Sequence, residues 1–281
     1  MELAASAAAA LQHLARPLER GGRPARTISA VELTAWAHQQ GLSPREAHLA
    51  ALRAGILPEG YERNFPSLSV GDQLRLLESA VLVAGLGGLG GCQAMLLARL
   101  GVGRLLLADG DVFAPSNLNR QLFATSATLG QPKAAVTAAA LAEIHAALIT
   151  VPVAAFLSRE NLPALVSQVE VVLDALDTFP ARWELAQAAA RGHRPLVHGA
   201  VWGGFGQVTT LLPPDVEQFG RLLPPPGAPM EAPGAVAPVV TLIASLQVQE
   251  AVRLLLRRPP VYRGRLAHFD GDTGQLEILP L

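Results

Sequence analysis

Between residues 80 and 109 the chain passes through an apolar five-residue run, Ala80-Val-Leu-Val-Ala84, and a turn with five glycines in seven residues, Gly85-Leu-Gly-Gly-Leu-Gly-Gly91. A helical pattern over 91–100 comes next, then a second apolar run, Arg104-Leu-Leu-Leu-Ala108, closing on Asp109. Both runs are too short for buried helices and are bounded by glycine or charge, so they read as strands. Strand, glycine turn, helix, strand is a βαβ unit, and strands this uniformly apolar must be covered on both faces. The chain is thereby committed to an α/β fold around a parallel sheet.

The alternation continues, with helices expected over 132–147 and 180–191 and strands over 149–154, 170–174 and 195–198. Strand-like segments at 206–212 and 264–269, and a hairpin around Gly271-Asp-Thr-Gly274, add antiparallel strands to the parallel sheet. Eight of the 22 prolines fall within 213–238. That segment is expected to be a long, semi-rigid crossover loop that cannot be helix and that covers a substrate. A helix over 239–257 is too apolar in its first half to lie on a surface.

Upstream, Ser29-Ala-Val-Glu32 and Ser43-Pro-Arg-Glu46 have capping-box spacing, and Gly41 and Gly55 stand where helices would stop. They predict a helical pair over 27–60 that packs on the main body. The first 26 residues are alanine-rich, carry Arg16, Arg20, Arg23 and Arg26, and lack the apolar core of a secretory signal, so a frayed or helical tail is expected. The division expected is residues 1–60, tail and helical pair, then 61–281, one catalytic domain.

With charge sparse and a net charge of −1, nothing points to a nucleic-acid partner. The longest uncharged stretches, 79–98 and 233–249, are broken by glycine, proline and polar residues and read as core rather than membrane spans. The one cysteine, Cys92, excludes an internal disulfide and a multi-cysteine zinc site built by one chain, so no zinc is expected and the cytoplasm is the compartment expected. His193 and His198 flank a predicted buried strand and read as structural, and His145 as a helix-face residue.

Gly85, Gly87, Gly88 and Gly90 include the pattern G-x-G-x-x-G, which lets a chain turn tightly, lets phosphate approach backbone amides and packs the helix onto the sheet. Alone it suits a nicotinamide dehydrogenase as well as an ATP enzyme, and Asp109 stands where a ribose-binding carboxylate belongs. The residues downstream of the turn favour ATP: Asp109-Gly-Asp111, then Ser116-Asn117-Leu-Asn-Arg120-Gln121, Gly130-Gln-Pro-Lys133, and Asp174-Ala-Leu-Asp177-Thr178 with Arg182. A triphosphate needs its charge neutralised as pyrophosphate leaves. Of 22 basic residues 21 are arginine, and the one lysine, Lys133, suggests a need for a compact, rotatable ammonium.

Glycine turn, D-x-D, S-N-x-x-R-Q, G-Q-P-K and D-x-x-D, in this order and spacing, closely resemble the ThiF/MoeB/HesA family of ubiquitin-activating-type adenylyltransferases, over residue 61 to the C-terminus. The resemblance implies a Rossmann-like ATP-binding domain in a dimer, most simply a homodimer, that joins ATP to the C-terminal glycine of a small ubiquitin-like protein. It puts the ribose on Asp109, the phosphates on Asn117, Arg120 and Lys133, and magnesium and phosphates near Asp177. Asp111, Ser116, Gln121 and Thr178 complete the nucleotide site. Arg63 is similar to the arginine that reaches into a neighbouring subunit's site, so the catalytic set is Arg63, Arg120, Lys133 and Asp177. Lys133→Ala is expected to remove activity and spare the fold, as for a solvated lysine.

Three departures from the family bear on the chemistry. The chain lacks two C-x-x-C pairs and any crossover-loop cysteine, and Asp177-Thr178 replaces the usual Asp-Asn. Cys92, in the helix-opening turn, is expected to be a packed side chain rather than a thiol of lowered pKa. Without an acceptor thiol the acyl-adenylate should pass to an outside nucleophile, a persulfide on another protein such as a sulfurtransferase. The expected activity is adenylation of a MoaD- or ThiS-type sulfur carrier, as in molybdopterin or thiamine synthesis. Alternatives on the same fold are activation of a peptide or tRNA base, or a non-catalytic partner subunit.

Overall fold

The structure, a computed structural model, describes residues 5–222 and 234–281. The N-terminal segment begins with α1 (Ala5–Leu14), then β1 (Arg16–Arg20) and β2 (Arg23–Ile28), α2 (Ala30–Gln40), α3 (Pro44–Arg53) and β3 (Ile56–Pro58). The helical pair forms with both capping boxes closed, Ser29 with Glu32 and Ser43 with Glu46. The expected tail is corrected: after α1 it is an antiparallel hairpin, and β3 adds to it in parallel. Gly21-Gly22 between two short extended runs is a hairpin signal that the alanine-rich start obscured.

Leu11, Ile28, Leu33, Trp36 and Ile56 form a small core within this segment. Leu52 and Leu57 join Tyr61, Phe65, Leu77 and Ala147 in a second cluster that fastens it to the main body. Arg45 reinforces the join, donating to Gly103 O (2.7 Å) and Leu77 O (2.8 Å).

The main body continues with α4 (Val70–Glu78), β4 (Ala80–Ala84), α5 (Gly88–Leu100), β5 (Arg104–Ala108), α6 (Lys133–Ile144), β6 (Ile149–Val153), α7 (Leu162–Val166), β7 (Val171–Asp174), α8 (Phe179–Arg191), β8 (Leu196–Trp202), β9 (Phe205–Leu211), α9 (Val216–Leu222), α10 (Ala237–Leu255), β10 (Arg265–Asp270) and β11 (Gln275–Pro280). The eight-stranded sheet runs β11-β10-β9-β8-β7-β4-β5-β6. Strands β6, β5, β4, β7 and β8 are parallel, and β9, β10 and β11 extend them antiparallel. Residue alternation divides β4 between two cores. Val81 and Val83 face α5, α6 and α10, while Leu82 and Ala84 face α7, α8 and α9.

Helix α10 is long and apolar enough by length and composition to cross a membrane, but its apolar residues pack against α5 and the sheet. The expectation that 213–238 holds no helix is corrected by α9. Eight residues at 215–222 lie free of proline, and they wind far enough to bury Phe219 completely. The central part of the expected crossover loop, 223–233, lies outside the described residues.

From β4 the chain adds β5 and β6 on one side and then returns to add β7 and β8 on the other. Where strand order reverses, the connections leave the carboxyl ends of β4 and β7 in opposite directions and open a crevice.

Candidate active site

The crevice is a cavity of about 700 Å³, entered over the carboxyl ends of the parallel strands. Gly85 has φ +87°, and a Cβ there would lie 2.7 Å from Ala175 O, so only glycine lets β4 turn this close to β7. A Cβ on Gly90 would stand 1.8 Å from Gly85 O. Gly90 therefore serves to press α5 against the turn, and it lies outside the cavity lining, which Gly85, Gly87 and Gly88 share. The N-cap of α5 is Gly87, with no side chain to cap it, so the first-turn N–H groups and the positive helix end are left for an anion.

Asp109 holds the turn from the side. Its Oδ2 accepts Leu86 N–H (2.7 Å) and its Oδ1 accepts Asp111 N–H (2.8 Å). The Gly130-Gln-Pro-Lys133 segment is strapped alongside, with Phe113 N donating to Gln131 O (3.0 Å) and Lys133 N to Asp111 O (3.0 Å). This strap delivers the Lys133 ammonium to the cavity, 3.1 Å from Asp111 Oδ2. The lysine is not solvated as expected: its side chain is 8% exposed.

Arg120 lines the same cavity, with Nη1 donating to Ser116 O (3.0 Å) and Asn119 Oδ1 (2.8 Å). Gln121 is buried beside Gly87, and its Oε1 has no hydrogen-bond partner among the described residues. Ser116 and Asn117 are not in the lining. Asn117 is buried with Oδ1 accepting Ala114 N–H (2.9 Å), where it shapes the loop that carries Arg120.

On the far wall Asp177 is exposed to the cavity from the loop after β7. Thr178, at the N-cap position of α8, is outside the lining. Beneath them Asp174, the first residue of the D-x-x-D segment, meets Arg182 and His198, and no motif joins that histidine to it. Asp174 is fully buried and accepts from His198 Nδ1 (2.7 Å) and Leu176 N (3.0 Å), with Arg182 Nη1 at 3.6 Å. Burial pushes the Asp174 carboxyl up, but Arg182, His198 and Leu176 N–H outweigh it and hold it below the usual carboxylate range. Burial also lowers His198 below the ordinary imidazole range, so the ring is neutral.

The ThiF family pattern matches residues 61–281. The chain belongs to the ThiF family. Among this ThiF-family protein's relatives, the "SAMP-activating enzyme E1" of Haloferax volcanii is 35% identical over 227 residues, spanning 78% of this chain and 84% of that one. The "Sulfur carrier protein ThiS adenylyltransferase" of Escherichia coli is 35% identical over 220 residues, 76% of this chain and 86% of that one. A crystal structure of E. coli MccB + ATP shares the fold with a TM-score of 0.67 at 16% identity, covering 95% of each chain.

Two further residues of this ThiF-family chain stand away from the cavity. Arg63 is exposed next to Asn64, whose Nδ2 donates to Gln73 (3.0 Å); Gln73 in turn donates to Leu100 O (2.8 Å). That is the far end of α5, roughly 20 Å from the glycine turn for a helix of 13 residues. Arg63 therefore does not reach the cavity of its own chain. Cys92 is buried, and burial pushes its thiol up despite the Thr241 hydroxyl 4.0 Å away, so the helix N-terminus does not activate it.

Several lining residues lacked a sequence signal because no motif marks them: Phe156, Trp202, Phe205, Gln207 and His268. Phe156 is 71% exposed, and its ring atoms would be 2.7 Å from a Cβ on Gly110, so the ring overhangs the Asp109 end of the cavity. Among the described residues no three His, Cys, Asp or Glu side chains gather to hold a metal unaided. The arrangement offers three things together. Two cations and an uncapped helix end suit a polyphosphate, a carboxylate faces them, and an aromatic face suits a base.

Proposed function

We propose that the protein is an ATP-dependent adenylyltransferase that activates the C-terminal glycine carboxylate of a small ubiquitin-like sulfur carrier. The observation that carries this reading is the meeting of Arg120, Lys133 and the uncapped start of α5 in one cavity opposite Asp177. Its volume of about 700 Å³ lies within the range of about 300–1,000 Å³ of pockets that take one small ligand, such as ATP.

In this reading the purine lies against Phe156, the ribose hydroxyls meet Asp109, and the phosphates lie over Gly87 and Gly88. A carboxylate oxygen of the carrier attacks the α-phosphorus, the bond from that phosphorus to the bridging oxygen breaks, and pyrophosphate leaves with the bonding electrons. Arg120 and Lys133 stabilise the charge that builds on the departing oxygens, and no proton has to be removed. Magnesium would be held by Asp177 together with the nucleotide's own oxygens and would offset phosphate charge. A single carboxylate suffices because Mg²⁺ usually keeps several waters and phosphate ligands.

The terminal sulfur of an external persulfide, supplied by a sulfurtransferase, then attacks the acyl carbon, the bond from that carbon to the phosphate oxygen breaks and AMP leaves, without an enzyme thioester. The one cysteine, buried and unactivated, supports that route. We assign a homodimer in which Arg63 completes the neighbouring site, and cytoplasmic action, where ATP and reduced sulfur are at hand. The test is exchange of labelled pyrophosphate into ATP. Exchange is expected only when a carrier with a free C-terminal glycine is present, and no exchange with any such carrier would sink the reading.

A further inference from the structure

The pleat of the β8–β9 hairpin puts Val197, Val201 and Val208 into the core shared with α10. The other face carries His198, Ala200 and Trp202 on β8, with Gln207 opposite Ala200 and Phe205 opposite Trp202 on β9. This face is a track leading out of the cavity. At its inner end His198 lies beneath Phe219, with ring centroids 4.8 Å apart. Ala200 and Gln207 come next in the cavity wall, and Trp202 and Phe205 stand at the mouth, 45% and 39% exposed. Between the small Ala200 and the aromatic mouth, the polar side chains are Gln207 and its neighbour across the strands, His268, which stacks on Phe205 at 6.0 Å.

The orientation of its amide is set by the layer below. The ionised Asp174 carboxylate has no proton to give, so the 2.7 Å contact to His198 requires the hydrogen on Nδ1. Arg182 Nη1 also lies 3.2 Å from that nitrogen, and the two contacts make opposite demands on it. The carboxylate prevails, because Arg182 has better acceptors in Gly199 O (2.9 Å) and Leu176 O. A neutral ring with its hydrogen on Nδ1 bears a lone pair on Nε2. Gln207 Nε2, 3.4 Å away, is then the donor, and Gln207 Oε1 is turned from the histidine with no hydrogen bond among the described residues.

We propose that Asp174 and His198 are positioning residues that lock the Gln207 amide, so that Oε1 accepts a backbone N–H from an extended peptide tail lying over Ala200. The inference rests on the carrier-activation reading, and it makes Gln207 a determinant of tail binding. A glutamine without the pair beneath it would present NH₂ as readily as C=O and would lose the discrimination. An amide acceptor suits a tail of any small residues, since the N–H belongs to the backbone.

The experiment measures pyrophosphate exchange as a function of carrier and of ATP separately. Gln207→Leu should raise the carrier KM about tenfold, the weight of one hydrogen bond, while the ATP KM moves far less. A carrier whose tail N–H groups are replaced one at a time by ester oxygens should show one position at which the unaltered protein loses the same factor and Gln207→Leu loses nothing further. His198→Gln, able to donate to Asp174 and accept from Gln207, should keep the carrier KM low, and His198→Phe should behave like Gln207→Leu. An unchanged carrier KM in Gln207→Leu, or an equal ester penalty in both proteins at every position, overturns the inference alone. Absence of exchange in the unaltered protein removes the parent reading and this inference with it.

Discussion

Lys133 ends 3.1 Å from Asp111, and the cost of holding that ammonium mostly out of water falls on a site where a polyanion would repay it. Lys133→Ala should cut carrier-dependent pyrophosphate exchange by two orders of magnitude or more, about 3 kcal/mol of transition-state stabilisation. The melting temperature should shift only slightly, because Asp111 is half exposed and regains water when its partner is removed. A large drop in Tm would mean that the ion pair is structural. That Lys133, Arg120, Asp109 and Asp177 would share one cavity was legible in the sequence because motif spacing fixes which loop each occupies. Asn117 and Ser116 share a motif with Arg120 yet face elsewhere, since spacing gives the loop and not the side-chain direction. His198 reads as structural from the sequence, and its burial agrees. What the sequence could not show was Asp174 below it and Gln207 above it, two contacts made across strands.

At the scale of elements, the glycine turn divides into residues that meet a ligand and residues that meet the protein. Gly90→Ala would drive a Cβ into the Gly85 carbonyl, which is backbone and cannot step aside, so a loss of roughly 3 kcal/mol or failure to fold is expected. Gly87→Ala meets only the Gln121 side chain, Nε2 at 3.4 Å and Cδ at 3.8 Å, and should melt near the unaltered protein while binding ATP more weakly. Thermal melts beside nucleotide titrations separate the two. Most strands and helices were legible from apolar runs bounded by glycine. Helix α9 was not, because proline content averaged over the whole of 213–238 hides the eight residues 215–222, which contain none. The β1–β2 hairpin is hidden in the same way by the composition of the segment around it.

Across the whole molecule, Tyr61 and His145 mark the join between the N-terminal segment and the main body. The Tyr61 hydroxyl is hydrogen-bonded to His145 Nε2, while Nδ1 is buried without a partner among the described residues. Burial, with His48 and Arg45 nearby, lowers the imidazole from 6.5 to about 4. An unfolded chain therefore takes up a proton near pH 6.5 that the folded chain refuses until about pH 4. Stability from this site is full above 6.5 and falls as pH drops towards 4, and His145→Asn should flatten that part of a Tm-against-pH curve. Arg63 tests the assembly. If it serves a neighbour, mixing inactive Arg63→Ala and Lys133→Ala proteins should restore activity, up to about a quarter of the sites for random re-pairing. No recovery after subunit exchange would place Arg63 outside the chemistry.

A mixed anhydride is an acylating reagent, and an uncharged primary amine attacks its carbonyl carbon readily. On this protein the surface cations are guanidiniums, which stay protonated and do not compete. The single ε-amine is tucked against a carboxylate, so an activated chain end that lingers or escapes finds almost nothing on its own maker to modify.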